Sequence, residues 1–133
     1  MQKPEITAGV FARKLAGVLG CFACVVSAAW SHEADDSRAG SLAETIDAGD
    51  VHELCLVLNR DQSLDYTFTA TQPLAFNIHY HAGNEVFYPV AEHRAAVGEA
   101  VFVAESEQEY CLMWTNRTAG QVTLAAEYAV AHN

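Results

Sequence analysis

Two histidines one residue apart, His79 and His81, have the spacing in this chain that best suits chemistry. On an extended strand, side chains two apart leave the same face with α-carbons about 6.6 Å apart, so both imidazoles can reach one ion. Glu85 follows after three residues, giving His-x-His-x-x-x-Glu around a turn at Ala82-Gly83-Asn84. His93 could complete a copper or zinc site, and so could Met113 if its strand lies alongside, thioether with imidazole suiting copper. The plain alternative is two polar residues on the solvent face of a sheet.

Other chemistry has less to stand on. There is no Gly-x-Ser-x-Gly elbow to expose a serine nucleophile, and no carboxylate spacing marks an acid–base pair, so no enzyme is expected. A histidine made amino-terminal by processing can chelate copper through its amine and ring, and His32 would be one if cleavage followed Ser31. Asn116-Arg117-Thr118 is a glycosylation sequon, a triplet that also arises by chance. Trp114, Tyr80, Tyr88 and Tyr110 could line a pocket, although aromatics on alternating strands are most often core.

The elements that must hold these residues begin after an export signal. Lys3, Arg13 and Lys14 precede an uncharged run over residues 15–30 that closes on small residues, Ser27-Ala28-Ala29, before Trp30-Ser31. That is a basic n-region, an apolar h-region and a cleavage site, with cleavage after Ala29 or Ser31. The run is short for a membrane span, which needs about 20 residues, so the mature chain is expected to carry none. It would be periplasmic or secreted. Beyond residue 31 there are four arginines and no lysine against sixteen Asp and Glu, which disfavours nucleic acid and leaves a cation or a basic partner. Cys21 and Cys24 leave with the signal, so Cys55 and Cys111 remain as one pair. In an oxidising compartment they read as a disulfide, with two buried thiols as the alternative.

Residues 32–40 are polar and without periodicity and are expected to form a flexible acidic arm, followed by a single domain over 41–133. There the apolar period is two. Residues 51–58 alternate, with His52, Leu54, Leu56 and Leu58 inward; residues 63–70 follow with Leu64, Tyr66, Phe68 and Ala70 inward. Thr71-Gln72-Pro73 breaks the run, and residues 74–81 resume with Leu74, Phe76, Ile78 and Tyr80 inward and Asn77, His79 and His81 outward. Strands at 86–90, 100–104, 109–115 and 121–130 follow, with 91–99 a helical turn or long connection. About eight short strands predict an all-β, antiparallel β-sandwich, jelly-roll-like in outline.

The order of these pieces resembles the GOLD domain, the lumenal β-sandwich of early-secretory-pathway cargo receptors. A cysteine strand is followed by the hairpin Asn77-Ile78-His79-Tyr80-His81 through Tyr88-Pro89-Val90, then by Tyr110-Cys111-Leu112-Met113-Trp114-Thr115-Asn116 and a last apolar strand. The likeness covers residues 51–130 and implies that Cys55 and Cys111 match the paired cysteines of that family. It also implies a protein- or ligand-binding module without catalytic residues, and apart from the possible copper or zinc no cofactor is expected. The coiled coil, membrane span and cytosolic tail of those receptors have no match here, so their trafficking role is not carried over. The His-x-His-x-x-x-Glu pattern is also similar to half of the first cupin metal motif. The glycines of that motif are absent, and its second motif has no match downstream. The expectation is therefore an exported, non-enzymatic module recognising a protein or small ligand, with a copper- or zinc-binding protein as the alternative.

Overall fold

The computed structural model describes residues 38–132. The expected signal and its cleavage site, residues 32–37 of the expected arm, and Asn133 lie outside the described residues. Six antiparallel strands form one curled sheet: β1 (Arg38–Ile46), β2 (Val51–Leu58), β3 (Gln62–Ala82), β4 (Glu85–Val103), β5 (Gln108–Thr115) and β6 (Val122–His132). Arg38, Ala39 and Gly40, expected in the arm, are the first residues of β1 and pair with Val130, Ala129 and Tyr128. The sheet runs β1-β6-β3-β5-β2, and β4 lies along the other edge of β3.

Six strands replace the expected eight because two breaks in the sequence are not breaks in the chain's extension. Thr71-Gln72-Pro73 is a bulge inside β3: Thr69 pairs with Val97 and Leu74 with Ala95, so β3 carries three extra residues there. An unmatched insertion on one strand bends and twists the pair, and proline, lacking an N–H, is tolerated at such a site. Thr71 also holds β6, since the Thr123 N–H donates to its Oγ1 at 3.0 Å. Residues 91–99, expected as a helical turn or connection, are strand, and β4 is continuous through them. Two single-residue bulges on β4, opposite Asn77 and His79, coil the far half of the hairpin further.

The curl places the core. Around the bend Phe68 and Phe76 come within 4.8 Å, and both rings meet Trp114, at 5.7 and 5.4 Å. With Tyr110, Leu58, Leu64 and Leu124 these are among the large side chains with almost no exposed surface. Each large side chain so buried contributes about 1.5–3 kcal/mol. Gly98 exists for this packing: it pairs with Phe68, and a Cβ there would lie 2.1 Å from the ring. The two ends of the sheet path also approach, because the Arg38 guanidinium donates to the Val57 carbonyl of β2.

The alternation expected for 51–58 and 63–70 is present: Leu58, Leu64, Tyr66 and Phe68 are buried, and Val51, Glu53, Cys55, Val57 and Asp65 are exposed. It fails at 74–79, where both faces are buried. Cys55 and Cys111 are opposite one another on β2 and β5 and form the disulfide. Asn116, rather than a free sequon, is a turn organiser. It is fully buried, donates to the carbonyls of Ile46 (2.9 Å) and Gly120 (2.7 Å), and accepts from Thr118 N–H and Oγ1.

Candidate functional site

Two places on this sheet carry side chains beyond those that packing needs. The first is the outer face of β3, β5 and β2. Strand register sets Ala75, Asn77 and His79 beside Thr115, Met113 and Cys111, which in turn adjoin Val51, Glu53 and Cys55. His79 therefore lies next to the disulfide. Its ring is 5.8 Å from Tyr88 and 5.3 Å from His81. His79 Nδ1 is 3.0 Å from Asn77 Oδ1, and Nε2 is 3.7 Å from Glu53 Oε1. Donation from Nδ1–H to Asn77 turns Nε2 toward the carboxylate, a contact that becomes ionic when the ring is protonated.

The expectation that Asn77 and His79 stand in solvent is overturned: they are 0% and 4% exposed. Groups from neighbouring strands cover them, for the disulfide, Tyr88 and Met113 stand beside them. His81 is exposed, as is Glu85, which closes the hairpin opposite Ala82. His93 is not brought to the pair. It is across from Phe76 on the opposite face, its ring edge-on to that phenyl at 5.6 Å. Met113 does share the face of His79, one residue pair along, opposite Asn77. Among the described residues no three His, Cys, Asp or Glu side chains gather to hold a metal ion. Asn77 Nδ2 and Trp114 Nε1 are buried without a hydrogen-bond partner among the described residues.

The second place is a cleft of about 360 Å³ at the hairpin end of the sheet. The curl brings the two ends of β4 together there, so Phe87 and Phe102 share one cleft, whose lining also includes Tyr80, Tyr88, Tyr110 and Glu105. Tyr80 and Phe87 are stacked at 5.0 Å with 11° between planes. Tyr110 stands edge-on to Tyr80 at 5.3 Å and to Phe102 at 5.0 Å, and its hydroxyl donates to the Ser106 carbonyl at 3.0 Å. Of the four aromatics considered from sequence, Tyr80, Tyr88 and Tyr110 line this cleft and Trp114 is core. Phe87, Phe102 and Glu105 were not among them. The signal for Phe87 was its adjacency to Tyr88: two neighbouring aromatics on one strand must present one ring to each face. Val86, Phe87 and Tyr88 are all exposed, an apolar tip at an edge strand.

Fold and site together define a single-disulfide, all-β domain with an aromatic cleft, in which no helix among the described residues is long and apolar enough to cross a membrane. No protein-family model matches the sequence, and no curated protein is significantly similar to it. Among solved structures, the fold is similar to that of PliG from Aeromonas hydrophila, a periplasmic lysozyme inhibitor of g-type lysozyme. The match has a TM-score of 0.54 at 16% identity and covers 71% of this chain and 88% of that one.

Proposed function

We propose that this protein is an exported, non-enzymatic module that binds another protein, and that its partner is a lysozyme or a similar basic wall hydrolase. The observation that carries the reading is the exposed Val86-Phe87-Tyr88 tip beside an aromatic cleft, on a fold shared with a periplasmic inhibitor. Exposed aromatics on a rigid edge are the usual anchors of protein interfaces. A formal charge of −10 favours a basic partner and speeds its encounter. The disulfide and the basic-then-apolar leader support export to the periplasm or beyond.

The test is a lysis assay on a peptidoglycan suspension, with a g-type lysozyme and a lysozyme of another type, each preincubated with the purified protein. Inhibition of either, with co-elution of the two proteins on size exclusion, is the expected result. Phe87→Ser with Tyr88→Ser should weaken it at least tenfold while leaving the fold intact, because both side chains are exposed. Full activity of every lysozyme at a large excess, with no co-elution, would overturn the proposal.

A further inference from the structure

The cleft has a chemistry of its own, and it names the group that enters it. Building on the protein-binding reading above, we propose that the cleft receives one arginine side chain projected by the partner protein. A volume of about 360 Å³ suits one or two side chains and not a folded segment. Much of its lining is aromatic: the parallel Tyr80–Phe87 pair and Phe102, with Tyr110 edge-on to both Tyr80 and Phe102. Ring faces carry negative potential and attract cations. Tyr110 is 1% exposed and its hydroxyl is committed to Ser106, so it backs the other rings and offers the cleft no hydroxyl donor.

Charge points the same way. Glu105 lines the cleft, its side chain exposed, and Glu107 and Glu109 follow it along the chain. Neither arginine nor lysine lines the cleft, and lysine is absent from the described residues, so Glu105 has no cationic neighbour within the lining. An anion would meet both a carboxylate and the π faces. A neutral aromatic would fill the walls and leave Glu105 unengaged. Guanidinium satisfies both, because its plane stacks on a ring while its edge forks to a carboxylate, which an ammonium cannot do.

The experiment needs no partner protein. Aromatic resonances of the full chain are followed by NMR during titration with acetyl-Gly-Arg-Gly-amide and with its neutral citrulline counterpart. The arginine peptide should shift Tyr80, Phe87 and Tyr110 saturably, and the citrulline peptide should bind at least about fivefold more weakly. Glu105→Gln should weaken the arginine peptide by about fivefold, whereas Glu99→Gln, an exposed carboxylate away from the cleft lining, should leave it unchanged. The assignment falls if those rings do not move, if citrulline binds as well as arginine, or if the two Gln variants behave alike. It also falls if a tetramer of N-acetylglucosamine moves the rings and the peptide does not. Such a failure would leave the lysozyme assay standing. Arginine binding in the cleft without inhibition of any lysozyme would remove the inhibitor reading alone.

Discussion

Replacing Asn116 should separate a structural asparagine from a modification site, and the sizes of the effects follow from its four hydrogen bonds. Its amide nitrogen gives both hydrogens away, to Ile46 O at 2.9 Å and Gly120 O at 2.7 Å. Its oxygen accepts from Thr118 N–H at 2.9 Å and Thr118 Oγ1 at 2.7 Å. In Asn116→Ala the Ile46 carbonyl loses its buried donor, which costs about 1–3 kcal/mol, while groups nearer the surface recover part of theirs from water. The sum is about 3 kcal/mol. Asn116→Asp is the sharper probe. It keeps shape and both acceptor bonds to Thr118, but sets a carboxylate against two carbonyl oxygens in a buried site. At neutral pH it should therefore be less stable than Asn116→Ala despite the smaller change in volume. The gap should narrow as pH falls and the new carboxyl is protonated, because the acid form regains one donor. Urea unfolding of the three proteins at pH 7 and pH 4 measures both effects. An Asp variant at least as stable as the Ala variant at pH 7 would refute the hydrogen-bond assignment. A side chain this buried and fully engaged also leaves no amide nitrogen for a glycan in the folded state, so intact mass from a glycosylating host should show none on Asn116.

Other outcomes follow from the same structure. Replacing Cys55 and Cys111 together by Ser should cost about 4 kcal/mol by the chain-entropy estimate for a sequence separation of 56, read from thermal or urea unfolding. Gly98→Ala should destabilise by about 1–3 kcal/mol, because the new methyl would overlap the buried Phe68 ring, and Phe68→Leu in the same chain should recover part of the loss. His79→Gln should lower stability by about 1–2 kcal/mol while His81→Gln stays within about 0.5 kcal/mol, since only His79 is buried against Asn77 and Glu53. Equal effects would contradict the register of β3. Burial lifts the Tyr66 phenol above its ordinary 10.0, so the folded state holds that proton more tightly than the unfolded chain does. That contribution is complete below pH 10 and lost as pH climbs through the folded value, and an alkaline stability profile should flatten in Tyr66→Phe.

What the sequence made legible was one face at a time. Alternation in 51–58 and 63–70 named the inward residues because each strand there has one wet face. The same logic assigned Asn77 and His79 to solvent, because periodicity within β3 says nothing about what Cys111, Tyr88 and Glu53 contribute from neighbouring strands. Residues 91–99 were not legible as strand because β4 is an edge, mostly exposed, so burial imposes no period on Ala91-Glu92-His93-Arg94. Thr71-Gln72-Pro73 reads as a terminator by composition, yet a bulge tolerates the same residues without ending the strand. The disulfide was legible from cysteine arithmetic alone. The cleft was not, because Phe87 and Phe102 stand fifteen positions apart on one strand and meet only through the coil that the bulges impose.

The β3–β4 ribbon has a consequence for how a partner would be met. β3 pairs with β4, β5 and β6, so its 21 residues are shared by every part of the sheet except β1 and β2. The Val86-Phe87-Tyr88 tip is thus not a loop that must settle when touched but the end of a two-stranded ribbon whose β3 strand is built into the sheet through β5 and β6. Docking on it spends little ordering entropy, so free and bound backbones should superpose closely and the heat-capacity change of association should reflect contact area alone. Anything that loosens the root, such as a substitution at Leu64 or Phe68 deep in the core, should slacken the tip and speed dissociation without touching the contact surface.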